Sequence, residues 1–440
     1  MTRVPALLSS FRSARACFFG LSLVAWLPVA FPNQAGAAED WVGFRGGQQF
    51  GAAEATDLPA EWDDQQNIVW KQDLPGPGTS CPTLIGPRVY LTCYSGYAED
   101  ENEPGDQENL VRHIVCLDRA SGEILWKKDF PAKLPESQYR AGLDSMHGYA
   151  SSTLTSDGER LYAFFGVSGA YCLDLEGNVI WNRDLGSGTH GWGSATSPVV
   201  CGDILMVNAS IESKSLYGFD KMTGEEKWKV DGIRDCWATP LLVEANGRTE
   251  AVLNVPNRLT AYDPQTGDEL WFCDGCPDGY LCPSVIAADG VVYVTGARRN
   301  TTIAVPAGGS GDMNDQVLWR IEKGSNVNSL VYCDGYLYLT HDKNGVAYCF
   351  DAKTGDVKYE ERLRPRPGIV YASATAADGK IYSSSRFDGT YVLAANPEEM
   401  ELLSVNKFES DDSRTNAALA VGDNRLFLRT DKAIYCIGKE

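Results

Sequence analysis

The chain is expected to be all-β: an eight-bladed β-propeller of four-stranded antiparallel blades, with the last blade completed by an N-terminal strand. Three observations carry that expectation. A turn phrase recurs along the chain at steps of roughly 40–55 residues. A second hairpin precedes each copy. An orphan strand near the start matches a strand missing at the end.

The phrase is Asp, three residues, Gly, three residues, Trp. It reads Asp118, Gly122, Trp126, then one residue shorter as Asp174, Gly177, Trp181. It returns as Asp220, Gly224, Trp228 and as Asp263, Gly267, Trp271. A further copy is Asp351, Gly355, with Tyr359 in the Trp place. Degenerate copies lie around Ile303 to Trp319 and Val392 to Leu403. An Asp that accepts backbone amides and a Gly that takes positive φ mark a tight turn. Strand-like flanks make the phrase a hairpin, and the Trp is expected to pack against the neighbouring unit.

The preceding hairpins include Pro198–Val207, Ser284–Val294, Leu330–Leu339 and Thr375–Tyr382, each a strand, an Asp-Gly-type turn and a strand. Two hairpins per unit make four strands, and radial repetition of such sheets is a propeller. Inner strands start near Cys81, Ala150, Ser197, Thr239, Cys282, Asn328, Ala372 and Asn416, which counts eight. The last unit ends at Ile434–Ile437 with three strands, and Asn67–Lys71 supplies the fourth. Closure of that kind removes exposed sheet edges.

Composition excludes other classes. The 440 residues carry a net charge of −20, which argues against a nucleic-acid partner or an anionic membrane surface. One stretch is apolar enough to enter a bilayer: Cys17 to Phe31, which follows Arg3, Arg12 and Arg15 and precedes Ala35 and Ala37. That order reads as a signal peptide spanning 1–37, giving an exported protein, periplasmic or extracellular, with no membrane span after cleavage. Residues 38–66 form a lead-in and 67–440 the propeller. A monomer is expected.

The Asp-x-x-Thr-Gly-x-x-x-Trp repeat resembles the tryptophan-docking repeat of pyrroloquinoline-quinone (PQQ) propellers. Those include quinoprotein alcohol dehydrogenases and the non-catalytic outer-membrane assembly factor of the BamB type. The lead-in Trp41-Val42-Gly43-Phe44-Arg45-Gly46 is similar to that of secreted PQQ-like propellers. The resemblance implies a binding or scaffold module for proteins or small ligands. Its alternative is an oxidoreductase using PQQ and Ca²⁺ at the axial mouth. The dehydrogenases' adjacent cysteine pair is missing, and Cys273-Asp274-Gly275-Cys276 is followed by Pro277 where haem attachment needs His. No catalytic or metal-binding residue is assigned.

Among thirteen cysteines, Cys116, Cys172, Cys349 and Cys436 share one repeat slot with Gly218 and Ala261, a slot for small side chains. Cys236, Cys273, Cys276 and Cys282 lie in consecutive crossings, where a Cys236–Cys276 disulfide would suit an oxidising compartment. Two of the four histidines sit in similar phrases, His147-Gly148-Tyr149 and His190-Gly191-Trp192, with Cys236-Trp237 next in line. His147, Tyr149, His190, Trp192 and Trp237 are therefore the candidate ligand residues at the axial mouth. The competing reading is a set of tight crossings with backbone-capping histidines. The acidic run Glu99–Glu108 lacks calcium-loop spacing and reads as a solvated loop. The insertion Phe130 to Met146 is placed to cover the mouth.

Overall fold

The computed structural model describes residues 40–100, 102–140 and 147–439. The expected signal peptide, 1–37, lies outside the described residues. Eight sheets follow one another along the chain, and helical content among the described residues is limited to short 3-10 turns. Blade 1 has strands Thr83–Ile85, Arg88–Ser95, Val111–Asp118 and Ile124–Pro131. Blades 2 to 7 repeat the antiparallel order over 155–183, 199–231, 241–274, 286–321, 331–362 and 375–406. Blade 8 combines Ala420–Gly422, Arg425–Arg429 and Ala433–Ile437 with the N-terminal strand Ile68–Asp73. The register of closure runs Trp70 to Cys436 and Asp73 to Ala433. Inner strands start at the face carrying the mouth, and the Asp–Gly turns lie at the opposite face.

The turn phrase behaves as its chemistry requires. Asp118 accepts the Ala120 and Ser121 amides, and Asp220 those of Met222 and Thr223. These amides hold both carboxyls below the usual carboxylate range. The Gly then presents a bare Cα to the indole of the preceding blade. A β-carbon on Gly122 would stand 2.5 Å from Trp70, and one on Gly267 would stand 2.7 Å from Trp228. The indole N–H completes the joint by donating to the carbonyl just after the turn Asp. Trp70 reaches Arg119, Trp181 reaches Lys221, Trp228 reaches Pro264 and Trp319 reaches Ala352, at 3.0–3.1 Å. Trp70 thus makes blade 8's docking contact on blade 1, so the closing strand carries a tryptophan joint as well as a ladder.

Two further tryptophans dock differently, while blade 6 carries Tyr359 in the Trp place and the outer strand of blade 7, Leu402–Asn406, has none. Trp126 rests on Gly177, but its N–H has no partner, because Arg88 donates to the Leu175 carbonyl at 2.7 Å. Trp271 faces a blade 5 without the phrase and donates instead to the buried Glu250 carboxylate at 2.8 Å. An insertion covers it: Gly311–Asp312 pairs in parallel with Trp271 and Phe272.

The small-residue slot has a steric cause. Cys116, Cys172, Cys349 and Cys436 lie opposite Trp126, Trp181, Tyr359 and Trp70 across the outer ladder. All four are free thiols with little solvent exposure. Cys236 and Cys276 are also free, so the suggested disulfide is absent. They occupy different cores, between blades 3 and 4 and between blades 4 and 5. The Cys236 thiol faces the Asn254 carbonyl and the Cys276 thiol the Thr301 carbonyl.

The lead-in is woven into the ring rather than hanging beside it. Trp41 exchanges backbone hydrogen bonds with Leu84 of blade 1, at 3.0 and 3.1 Å. The chain then crosses the axis. Gly43 has φ +96°, and any β-carbon there would collide with the Thr155 hydroxyl of blade 2. Arg45 is 1% exposed and donates to the carbonyls of Leu330 in blade 6 and Ala374 in blade 7. Burial pulls its pKa down to about 10, so it stays charged at neutral pH. Ala52–Ala53 next adds a parallel strand to the inner edge of blade 7.

Closure yields a test. Trp70→Ala should cost about 3–5 kcal/mol, through lost burial and the void left behind. Trp126→Ala should cost less, because the Trp126 indole N–H makes no bond and its ring is more exposed. Urea unfolding of both variants measures the difference; equal losses would refute the special weight given to the closing joint.

Candidate functional site

The inner strands meet at the mouth in a belt of hydroxyls. The amide of Cys81 donates to the Thr153 hydroxyl, Thr153 to Ser197, and Ser197 to Thr239. The amides of Thr239, Ser284 and Ser329 continue to Ser284, Ser329 and Ser373, all near 3.0 Å. Blade 8 has Ala418 in this position, and its amide points at the Cys81 thiol. From Cys81 to Ser329 each belt amide is held by the next blade, so the inner strands of blades 1 to 7 share one height around the axis.

A strand alternates its side chains with period two. The residue two before each belt position therefore points inward. Those residues are Thr79, Ser151, Ala195, Trp237, Cys282, Val327, Tyr371 and Asn416, and all eight line one cavity of about 410 Å³. Phe44 of the lead-in lines it as well, so the segment that crosses the axis closes its inner end. His147, Trp192, Tyr280, Asn326 and Lys343 complete the wall nearer the mouth.

The aromatic residues form one cluster. Trp192 meets Tyr280 edge-on at 4.7 Å between centroids and lies 5.7 Å from Trp237. The Trp237 indole donates to the Gly193 carbonyl at 2.9 Å. Such edge and tilted contacts leave ring faces available to an apolar or aromatic guest.

His147, Trp192 and Trp237 are thus brought together as expected from sequence. His190 stands behind them, against Trp237 at 4.8 Å, with Nδ1 accepting the Trp192 amide at 3.1 Å. Tyr149 is turned away from the cavity into a separate core with Tyr94 and Tyr97, and donates to the Ser137 carbonyl. The two His-Gly-aromatic phrases are out of register. His147 precedes its belt residue Thr153 by six positions, and His190 precedes Ser197 by seven. Tyr280, Tyr371, Asn326 and Lys343 were not singled out from sequence. Counting back from the Ser/Thr belt would have found Tyr371, since the same count places Trp237.

The insertion after blade 1 is anchored over 133–140. Glu136 pairs with the buried Arg112, Gln107 donates to the Glu136 and Ser137 carbonyls, and the Tyr139 amide donates to the Tyr97 hydroxyl. Residues 141–146 lie outside the described residues. In the acidic run, Glu99 accepts the Gly96 amide and Asp106 caps a short 3-10 turn.

The donor set bears on a PQQ–calcium centre. The lining supplies the amides of Asn326 and Asn416 but contains no Asp or Glu. A hard divalent cation binds through carboxylate oxygens, and no group of three potential metal ligands occurs among the described residues. The described lining does not fit that centre.

Two titratable groups near the mouth are pushed in opposite senses. Burial lowers the His147 pKa to about 4, with the Arg386 and Arg414 charges adding to the shift. Burial raises that of Glu212, on the mouth-side loop of blade 3, to about 7, and the Glu136 charge adds to it. For His147 the unfolded chain binds the extra proton between pH 6.5 and 4, so its contribution to stability falls as pH falls through that window. For Glu212 the folded chain binds the extra proton between pH 4.5 and 7, so its contribution falls as pH rises. The two nearly cancel from about pH 4.5 to 6.5. Relative to wild type, Glu212→Gln should therefore gain stability as pH rises through this window, and His147→Gln should lose it. Each difference should approach about 1.4 kcal/mol per pH unit. Denaturant melts across the window check both signs, and parallel curves for all three proteins would refute the pairing.

Comparison with known proteins follows the fold. Residues 111–361 match the family model described as outer membrane protein assembly factor BamB. None of the curated proteins matches the chain. BamB from Moraxella catarrhalis is similar in structure, with a TM-score of 0.57 at 14% identity, over 85% of this chain and 97% of that one. Quinohemoprotein alcohol dehydrogenase from Comamonas testosteroni gives a TM-score of 0.63 at 10% identity, over 91% and 81%. The computationally designed protein Ika8 gives 0.56 at 14% identity, over 83% and 98%. At these identities the structural likeness speaks to the fold.

Proposed function

From the premise that this chain belongs to the family of the outer-membrane assembly factor BamB, we propose that it is an exported, non-catalytic scaffold. It holds a protein partner on the mouth face of the propeller, with the axial cavity as anchor pocket. The observation that carries this reading is the cavity itself: open at the mouth, closed inside by Phe44, walled by aromatic rings and without carboxylates in its described lining. A pocket of that size suits one bulky apolar side chain or a comparable small ligand. A rigid ring with variable loops around such a pocket suits recognition, because loops supply contacts without disturbing the sheets. The basic, apolar start at residues 1–37 supports export.

The competing reading is a PQQ-dependent oxidoreductase with its site at the same mouth. Titration of the purified protein with PQQ and Ca²⁺, followed by indole fluorescence and calorimetry, separates the two. The scaffold reading expects no saturation in the micromolar range. Stoichiometric binding that Trp237→Ala removes, together with oxidation of an alcohol or sugar, would overturn it.

A further inference from the structure

The chain's net charge is −20, yet one sector of the mouth face is basic. Arg298 and Arg299 sit on the loop of blade 5, Lys343 on that of blade 6, and Arg362, Arg364 and Arg366 at the crossing from blade 6 to blade 7. All six side chains are exposed, and none forms an ion pair among the described residues. Contacts bind the arc to the cavity. Arg298 lies 4.9 Å over the ring of Tyr280, which lines the cavity, and Arg366 donates to the carbonyl of Lys343, which also lines it. Carboxylates beside the arc already accept hydrogen bonds or ion pairs, Asp278 from the arc itself. Asp278 accepts the Arg298 and Gly279 amides, Asp388 the Gly368 amide and the Ser385 hydroxyl, and Glu360 pairs with Lys323. Phe387, 51% exposed on the loop of blade 7, stands at the end of the arc. Blade 1 opposes it with Glu99, Asp100, Glu103, Asp106 and Glu108 on its own loop.

Resting on the scaffold reading, we propose that the partner is an acidic peptide segment whose aromatic side chain enters the axial cavity while its carboxylates lie on the Arg298–Arg366 arc. Charge complementarity identifies the acid. Exposed guanidiniums that form no ion pair bind carboxylates bidentately. The cavity identifies the aromatic residue, because Trp192, Trp237, Tyr280 and Tyr371 offer ring contacts while Lys343 on the wall disfavours a cationic guest. Arginine and aromatic residues together are also the composition of interface centres. The acidic loop of blade 1 sets direction: the acidic end of the segment is repelled there and points toward blades 5 to 7.

The test uses the whole exported protein and a fluorescent peptide of glutamates around one phenylalanine. Companion peptides carry Gln for every Glu or Ala for the Phe, and an oligogalacturonate serves as an acidic glycan. Anisotropy should show the Glu–Phe peptide bound, weakening as salt rises from about 50 to about 200 mM. The joint variant Arg298→Glu, Arg364→Glu, Arg366→Glu should weaken it ~10-fold or more with an unchanged melting temperature. Trp237→Ala should weaken the Glu–Phe and Gln–Phe peptides alike. If the Gln–Phe peptide binds as tightly as the Glu–Phe one, the charge inference fails while the scaffold reading stands. If oligogalacturonate binds and no peptide does, the partner is a glycan and the peptide assignment fails. If nothing binds and Trp237→Ala changes no signal, the inference and the anchor-pocket reading fail together.

Discussion

Five of the eight joints between blades rest on an indole packed against a bare glycine. A propeller blade cannot bury both faces alone, so its stability comes from its neighbours. The docked Trp supplies apolar area, and its N–H meets the carbonyl beside the turn Asp. The Asp shapes the turn, the Gly admits the ring, and the small slot on the next strand leaves room for it. Remove the glycine and backbone strain and collision arise together. The hydroxyl belt does the matching work near the axis. Outer joints set the spacing of the blades, and the belt sets their height.

That frame explains why the cavity exists. Eight inward positions at one level form a ring of side chains, and their chemistry is free to vary because the belt is held through backbone amides. Sequence spends this freedom unevenly. Blades 4 and 7 put Trp237 and Tyr371 inward, while blades 2 and 3 put Ser151 and Ala195 there. The wall is lopsided in bulk as the rim is lopsided in charge. A symmetrical scaffold thereby presents a directional surface.

The architecture was legible because its causes are local. The turn phrase, the paired hairpins and the orphan strand around Trp70 all write their roles within a few residues. The site was less legible because it depends on register across blades. His147 and His190 share a phrase, but one extra residue before Ser197 leaves His190 behind the wall. Tyr149 met the same fate. Lys343 and Tyr280 come from a loop and a crossing whose placement depends on neighbours far along the chain. The lead-in's passage across the axis left no periodic trace. Its glycine-rich phrase acquires meaning only beside Thr155, Leu330 and Ala374. The Cys236–Cys276 pairing was plausible on one rim but had no shared core to form in.

The strand that closes the ring is among the first parts of the propeller to be made, and its partner is the last. The amide of Gly438 bonds the Asn67 carbonyl, joining residues from the two ends of the ring. A chain made from its N-terminus delivers Trp70 long before Ala433–Ile437 exist to receive it. The final blade therefore assembles only after the whole polypeptide has emerged, and contacts of such long sequence separation form slowly. Until then the edge of Ile68–Asp73 stays open to other strands. Shielding of that edge, or a low concentration of incomplete chains, protects the molecule during the interval.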